Sequence, residues 1–570
     1  MGTLAGCLDR AFREHPDLPA VSCRGRTLTY RELHAEAASI AAALRKAGVG
    51  PGHRVGLYLH RSISAVAAAH ACLMLGAAYV PIDPQNPWAR VLGLLEDCGA
   101  STLAAESRLL PRGRSRAGRL RVLAVDRVPV SRRSSAPLRR AKSSDQAYIL
   151  YTSGSTGKPK GVLMADRNAM AFVEWAVSEF RLRSSDRLAN LAPFQFDLSI
   201  FDIFSSASAC ASLHIIPYPD SLFPAKVGRF LVRERTTAFY TVPSVLSSIS
   251  ALETFRPGAF PDLRLLLFAG EVLPPRVLAA WQELAPNAVF YNLYGPTETN
   301  VCLFHRVRRP YPAQGPAIPI GRPLPGTSVR VVADGGARCR PGGRGELLVK
   351  GPTVMLGYAN GEGGPGEGGF YRTGDIVSLA KDGAYRFWGR RDDQVKVRGC
   401  RVDLKEVEAA LNSLPGIAVS AVTPVGEGER RSLTAHVAAK PGSRVTEAGV
   451  VKALALVLPS YMLPSKVAVL PDLPRLATGK LDRRSLGGPS SAGLAIPAVR
   501  KILEEKILRG RSLGDDESFW DGGALDSLDL LQFVHQLEKA FGLRIPETDV
   551  NPEVFASLRS VSDYLAKKVQ

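Results

Sequence analysis

Tyr151-Thr-Ser-Gly-Ser-Thr-Gly-Lys-Pro-Lys-Gly161 is a glycine-rich loop crowded with hydroxyls and carrying two lysines. The apolar run Ala147-Tyr148-Ile149-Leu150 before it is strand-like, so the loop should leave a sheet with its backbone N–H groups free to face an anion. Gly154, Gly157 and Gly161 let the main chain approach a polyphosphate closely. Thr152, Ser153, Ser155 and Thr156 add hydroxyl donors, and Lys158 and Lys160 add charge. A Walker A loop is excluded, because Thr152 stands where its first glycine belongs and Pro159 where its Mg²⁺-binding hydroxyl belongs.

Outward from this loop the pattern is layered. Leu33 to Ala47 and Ser64 to Leu75 have helical periodicity, while Arg54 to Leu59 and Gly76 to Asp83 are strand-like. Beyond the loop, Ala238 to Val242 and Leu263 to Ala269 read as buried strands and Pro274 to Leu284 as a helix. Such alternation predicts an α/β fold. From about Ile320 the chain turns rich in Gly, Pro and Val, with Val329 to Val332 and Gly345 to Lys350 as short strands of a β-rich subdomain. Residues 360–369 are a polar low-complexity loop, residues 392–485 a further α/β stretch, and Gly487 to Gly493 a linker by composition. In residues 496–570 acidic side chains outnumber basic ones, and Val499 to Leu508 and Leu528 to Phe541 have helical periodicity, as expected of a small helical domain.

The 570 residues are too many for one core, and with 45% hydrophobic and 22% charged residues the chain should fold. A net charge of +20 raises a nucleic-acid reading. Much of that excess is arginine between Arg108 and Arg140, with no zinc-finger spacing or aromatic RNA-binding signature, so no nucleic-acid partner is expected. Eight scattered cysteines without a C-x2-C pair point to a reducing cytoplasm and no zinc site. Neither a secretory leader nor a run of about 18 apolar residues is present, so no membrane association is expected.

Further stretches carry chemistry. Tyr294-Gly-Pro-Thr-Glu-Thr299 sets a carboxylate among hydroxyls behind a Gly-Pro turn, suited to a metal-bound phosphate or an adenine edge. Tyr371-Arg-Thr-Gly-Asp375 offers a carboxylate able to take both hydroxyls of a ribose. Gly389 to Gly399 is a charged turn entering a strand, and Thr478-Gly-Lys480 places a lysine on a loop.

In this order and spacing, from Leu28-Thr-Tyr-Arg-Glu-Leu33 to Arg483, these stretches resemble the adenylation domains of nonribosomal peptide synthetases, within the acyl-adenylate-forming superfamily. The resemblance implies a large multi-subdomain α/β core over residues 1–391, a small mobile α/β subdomain over 392–486, a linker at 487–495 and an all-α four-helix carrier domain over 496–570. It implies that Thr152 to Lys160 close over the β- and γ-phosphates of ATP and that Glu298 holds Mg²⁺, with Thr297 near the α-phosphate and Tyr294 beside the nucleotide. Asp375 would bind the ribose with Arg390 close by, Lys480 would bridge substrate carboxylate and nucleotide, and Asp392 would be the hinge of the small subdomain. The physics agrees: a carboxylate attacking an α-phosphate is already ionised at pH 7, so catalysis reduces to positioning and charge neutralisation. Val402-Asp-Leu-Lys-Glu-Val407 departs from the family's usual Glu-Leu-Gly-Glu run. Asp521-Gly-Gly-Ala-Leu-Asp526-Ser527-Leu528 resembles a carrier-protein attachment site, implying 4'-phosphopantetheine on Ser527 and a phosphopantetheinyl transferase as partner.

Members of this family that use α-amino acids carry an aspartate after an aromatic residue, here Phe196-Asp197, to pair the substrate ammonium. The other lining positions matched to the family are Leu198, Phe201, Tyr240, Leu267, Ala269, Leu293, Val301 and Cys302, with Thr241 one residue from the least secure of them. None is charged, so a modest apolar side chain is implied. The set resembles the pocket of L-proline-activating enzymes that feed pyrrole-2-carboxylate assembly. That likeness implies L-proline as substrate, a flavin-dependent prolyl-carrier dehydrogenase downstream and a secondary metabolite as destination. L-Pipecolate or valine is the alternative, and an acyl-CoA synthetase a more distant one, against which Asp197 argues.

Overall fold

The computed structural model describes residues 2–110, 120–131, 142, 144–153, 158–333, 335–391, 394–397, 400–426, 431–440, 443, 445–470 and 473. Beyond these it describes residues 486, 499–500, 502–504, 514, 517, 519, 532–534, 536–538, 545 and 555–568. The chain divides into two compact units, Met1–Leu473 and Pro474–Gln570.

In the first unit, two large sheets share helices between them. One runs in the order Arg322–Pro323, Leu303–Arg306, Val289–Tyr294, Leu265–Ala269, Ala238–Thr241, Arg187–Asn190, Ser212–Ile215, Pro19–Cys23, Arg26–Thr29. Its centre is parallel, and Leu265–Ala269 is buried along its whole length because helices cover both faces. Period-two alternation then sorts the side chains. Leu267 and Ala269 pack with Tyr240 and Leu293 in the main core, whereas Leu266 and Phe268 pack with Phe239, Phe290 and Trp281 on the opposite face. The second sheet places Lys160–Ala165 antiparallel to Gln146–Thr152, followed by Ala78–Ile82, Arg54–Tyr58, Thr102–Ala105 and Arg121–Ala124 in parallel. The glycine-rich loop joins the two antiparallel members of this sheet.

The helices form where the apolar spacing predicts them: Tyr30–Lys46, closed at its start by a Thr29/Glu32 capping box, then Ile63–Met74 and Pro275–Leu284. The β-rich part is a four-stranded antiparallel sheet, Ser328–Val332, Arg344–Lys350, Tyr371–Leu379 and Tyr385–Arg390. After it come a hairpin, Gln394–Val397 with Cys400–Asp403, and a three-stranded sheet, Ile417–Val425, Ser432–Ala439 and Lys466–Leu470, packed on the helix Leu404–Asn412. Asp403, in the run that departs from the family pattern, caps that helix by accepting from the Lys405 N–H at 3.0 Å.

In the second unit the described residues include the helix Leu558–Lys568 and a core in which Val499, Leu503, Phe519, Phe533, Leu537, Phe555, Leu558 and Val561 are buried. A four-helix count and the rest of the expected helices lie outside the described residues. Among the described residues no helix is long and apolar enough to cross a membrane.

Candidate active site

The carboxyl ends of Ala238–Thr241, Leu265–Ala269 and Val289–Tyr294 open onto a cavity of about 1270 Å³, the edge at which ligands bind in open α/β sheets. Thr152, Ser153, Asp197, Leu198, Tyr240, Ala269, Leu293, Tyr294, Thr297, Val301, Asp375 and Arg390 all line it, although they are spread over some 240 residues of sequence. The register explains the apolar wall: Tyr240 pairs with Leu267 and Ala269 with Leu293, so the cavity-facing side chains stand next to one another on one sheet face. Tyr240, and not Thr241, faces the cavity.

Three of the expected lining residues stand behind the wall instead. Phe201 is fully buried and meets the Tyr240 ring edge-on at 5.6 Å, Leu267 lies deeper along its strand, and Cys302 points into the core next to Val301. Burial pushes the Cys302 thiol up to about 12, so it behaves as an inert apolar group. These residues set the depth and shape of the wall without being exposed on it.

Asp197 starts the short helical turn Leu198–Ile200, which runs on into a π turn at Phe201–Ser205. Its carboxyl is pushed up to about 6, chiefly by burial and further by Glu298, with Lys396 pulling the other way. Asp375 sits directly opposite Arg390 on the neighbouring strand, and the guanidinium donates to it at 2.6 Å. The Tyr294 hydroxyl donates to the other carboxylate oxygen, and Arg390 also reaches the Thr373 carbonyl and Gln394. This fixes the orientation of the one carboxylate on that side of the cavity expected to face a ribose.

Glu298 is 2% exposed, on a single helical turn, Thr297–Thr299. Burial alone would raise its pKa, but the Arg401 guanidinium at 3.0 Å brings it below the usual carboxylate range, so it is ionised. The Tyr358 hydroxyl donates to its other oxygen at 3.1 Å. A buried, charged carboxylate is a hard oxygen donor suited to Mg²⁺, and Thr297 on the same turn lines the cavity. The turn itself depends on Gly295, where a Cβ would lie 1.6 Å from the Asn300 carbonyl oxygen.

Of the loop lysines, Lys158 is exposed and Lys160 lies over the Tyr358 ring at 5.4 Å. Gly154, Ser155, Thr156, Gly157, Asp392, Lys480 and Ser527 lie outside the described residues. Sequence reasoning missed Lys396 and Arg401, which also line the cavity. Burial lowers the Lys396 pKa while Asp375, Glu271 and Asp197 hold it up. The signal was present: Gln394 and Lys396 alternate with Val395 and Val397. A polar face on a short hairpin reads as solvent-facing, yet here it faces the cavity.

Residues 8–359 match the AMP-binding enzyme family, and residues 406–480 match the AMP-binding enzyme C-terminal domain. The chain is an AMP-binding enzyme. Residues 497–565 of this AMP-binding enzyme match a phosphopantetheine attachment site, so an adenylation domain is fused to a carrier domain. An L-proline–[L-prolyl-carrier protein] ligase of Pseudomonas fluorescens is 37% identical over 84% of this chain and 97% of its own. A protein of the same name from Streptomyces coelicolor is 37% identical over 81% of this chain and 92% of its own. The fold also matches an artificially fused adenylation–carrier didomain from Klebsiella oxytoca, with a TM-score of 0.72 at 20% identity over 99% of this chain and 98% of that one. This AMP-binding enzyme is an amino-acid-adenylating ligase of the nonribosomal peptide synthetase type that loads a carrier protein. ATP, Mg²⁺ and 4'-phosphopantetheine are its cofactors, and a phosphopantetheinyl transferase is its modifying partner.

Proposed function

We propose that the enzyme activates L-proline as prolyl-AMP and passes it to a phosphopantetheine thiol on Ser527. The observation that carries this reading is Asp197, a carboxylate lining the same cavity as the apolar positions Leu198, Tyr240, Ala269, Leu293 and Val301. That combination suits a cationic amine on a compact apolar body, and both prolyl ligase relatives act on such a substrate. Valine and L-pipecolate share these features: pipecolate differs from proline by one ring methylene, and valine by an open side chain and a primary amine.

In this reading the Thr152 to Lys160 loop holds the β- and γ-phosphates, Glu298 the Mg²⁺, Thr297 the α-phosphate and Asp375 the ribose. Lys480 neutralises charge during adenylation, and the small subdomain turns about Asp392 between the two half-reactions. The functional divisions are 1–391, 392–486, 487–495 and 496–570. A flavin-dependent prolyl-carrier dehydrogenase consumes the thioester in the cytoplasm.

Incubating the pantetheinylated chain with ATP and radiolabelled proline should leave acid-stable, thiol-releasable label, and Ser527→Ala should leave none. Faster loading of valine or pipecolate than of proline would replace the substrate.

A further inference from the structure

Arg401 makes two contacts that bear on the phosphate end of the cavity. Its guanidinium donates to Glu298 at 3.0 Å, while its backbone carbonyl accepts from the Ser153 hydroxyl at 2.9 Å. One residue of the small-subdomain hairpin thus engages both the buried carboxylate suited to a divalent cation and a hydroxyl of the glycine-rich loop. Neither Arg401 nor Glu298 can turn away to water, since their side chains are 16% and 3% exposed. Arg401 is further held by donating to Gln394 across the hairpin at 2.6 Å, and Glu298 by the Tyr358 hydroxyl.

We propose that Arg401 is an internal stand-in for the metal–triphosphate, competing with Mg²⁺ for Glu298 and with the nucleotide for Ser153. The proposal rests on Glu298 being the metal ligand. A carboxylate can ligate a metal while accepting a hydrogen bond, but here the donor is itself a cation, and a metal held by Glu298 would sit beside the seated Arg401 guanidinium. Two cations in one desolvated pocket repel strongly. Metal binding therefore expels the hairpin, and loss of metal and pyrophosphate readmits it. The buried charge of Glu298 is compensated in both states, which avoids the cost of an unpaired buried carboxylate. Arg401 is on this account a positioning residue: it couples occupancy of the phosphate end to seating of the hairpin against the cavity.

The test uses Mn²⁺ as a paramagnetic probe of the Mg²⁺ site, with the full-length chain and α,β-methylene-ATP. Mn²⁺ affinity is read by electron paramagnetic resonance, and seating of the hairpin by amide exchange of Gln394–Val397 and Cys400–Asp403. Arg401→Ala should bind Mn²⁺ on the order of tenfold more tightly than wild type, and its hairpin should exchange rapidly even without metal. Arg401→Lys should return both readings toward wild type. In wild type, Mn²⁺ with the analogue should deprotect the hairpin. Unchanged Mn²⁺ affinity in Arg401→Ala, or a hairpin indifferent to Mn²⁺, would overturn the competition. Glu298→Gln separates the two readings: Mn²⁺ binding that survives it rejects Glu298 as the ligand. Binding lost in Glu298→Gln but unaltered in Arg401→Ala rejects the competition alone.

Discussion

Asp197 can pair a substrate ammonium only when ionised, and the protein holds its carboxyl up at about 6. The sign follows directly: substrate affinity is fully present above that value and falls about tenfold for each pH unit below it, where protonation must be reversed to bind. Glu298 does not titrate in this window, because its pKa is lowered. The KM for the amino acid in pyrophosphate exchange should therefore rise between pH 6 and pH 5, and Asp197→Asn should lose that pH dependence. Asp197→Ala should cost roughly 2 to 5 kcal/mol of substrate binding, since the cation would be left unpaired. Near-normal affinity in that variant would contradict the amine-anchor role. Asp375 is legible from the chemistry of its own short run, Tyr371 to Asp375, whereas Asp197 is reached through the family resemblance; both line the cavity. Arg401 and Lys396 are reached by neither route. The alternation Gln394-Val-Lys-Val397 marks a polar face, but only the place where the hairpin comes to rest turns that face to the cavity.

Among the elements, the strand Leu265–Ala269 is legible in the sequence as buried, since a strand covered on both faces is apolar at every position. That same uniformity hid which residues are exposed on the cavity wall. Polar alternation marks the faces of half-buried strands and is missing here, so Leu267 looked as accessible as Ala269. Helix boundaries at Tyr30–Lys46 and Pro275–Leu284 came within three residues of the sequence reading, because a capping box and a proline at the first turn mark them. Among the described glycines, Gly295 in the turn Gly295 to Thr299 leaves the least room for an added methyl group. Gly295→Ala must displace the Asn300 carbonyl, and with it the residue before Val301 on the cavity wall. The expected result is about 1 to 3 kcal/mol of destabilisation, read as a lower melting temperature. Exchange activity should fall by on the order of 10²-fold through misplacement of Thr297 and Glu298. A variant with wild-type melting and activity would show that the turn relaxes freely.

At the scale of the whole molecule, family membership was legible from five ordered motifs, whereas the seating of the small subdomain had to come from the structure. The proposed roles of Lys480 and Ser527 predict a clean division of labour. Lys480→Ala should lower pyrophosphate exchange by on the order of 10²-fold or more, yet still pass preformed prolyl-AMP to the carrier. Ser527→Ala should exchange normally and gain no phosphopantetheine in its intact mass. Equal loss of both half-reactions in Lys480→Ala would make that lysine structural. The most direct test of the account is amino-acid-dependent exchange of labelled pyrophosphate into ATP, run on the wild-type chain across a panel of proline, pipecolate, valine, charged amino acids and amine-free carboxylic acids. The account predicts exchange led by proline, weaker with the other compact apolar amino acids, and at background without an α-amine. Exchange led by a charged amino acid or by a carboxylic acid lacking the amine would contradict it.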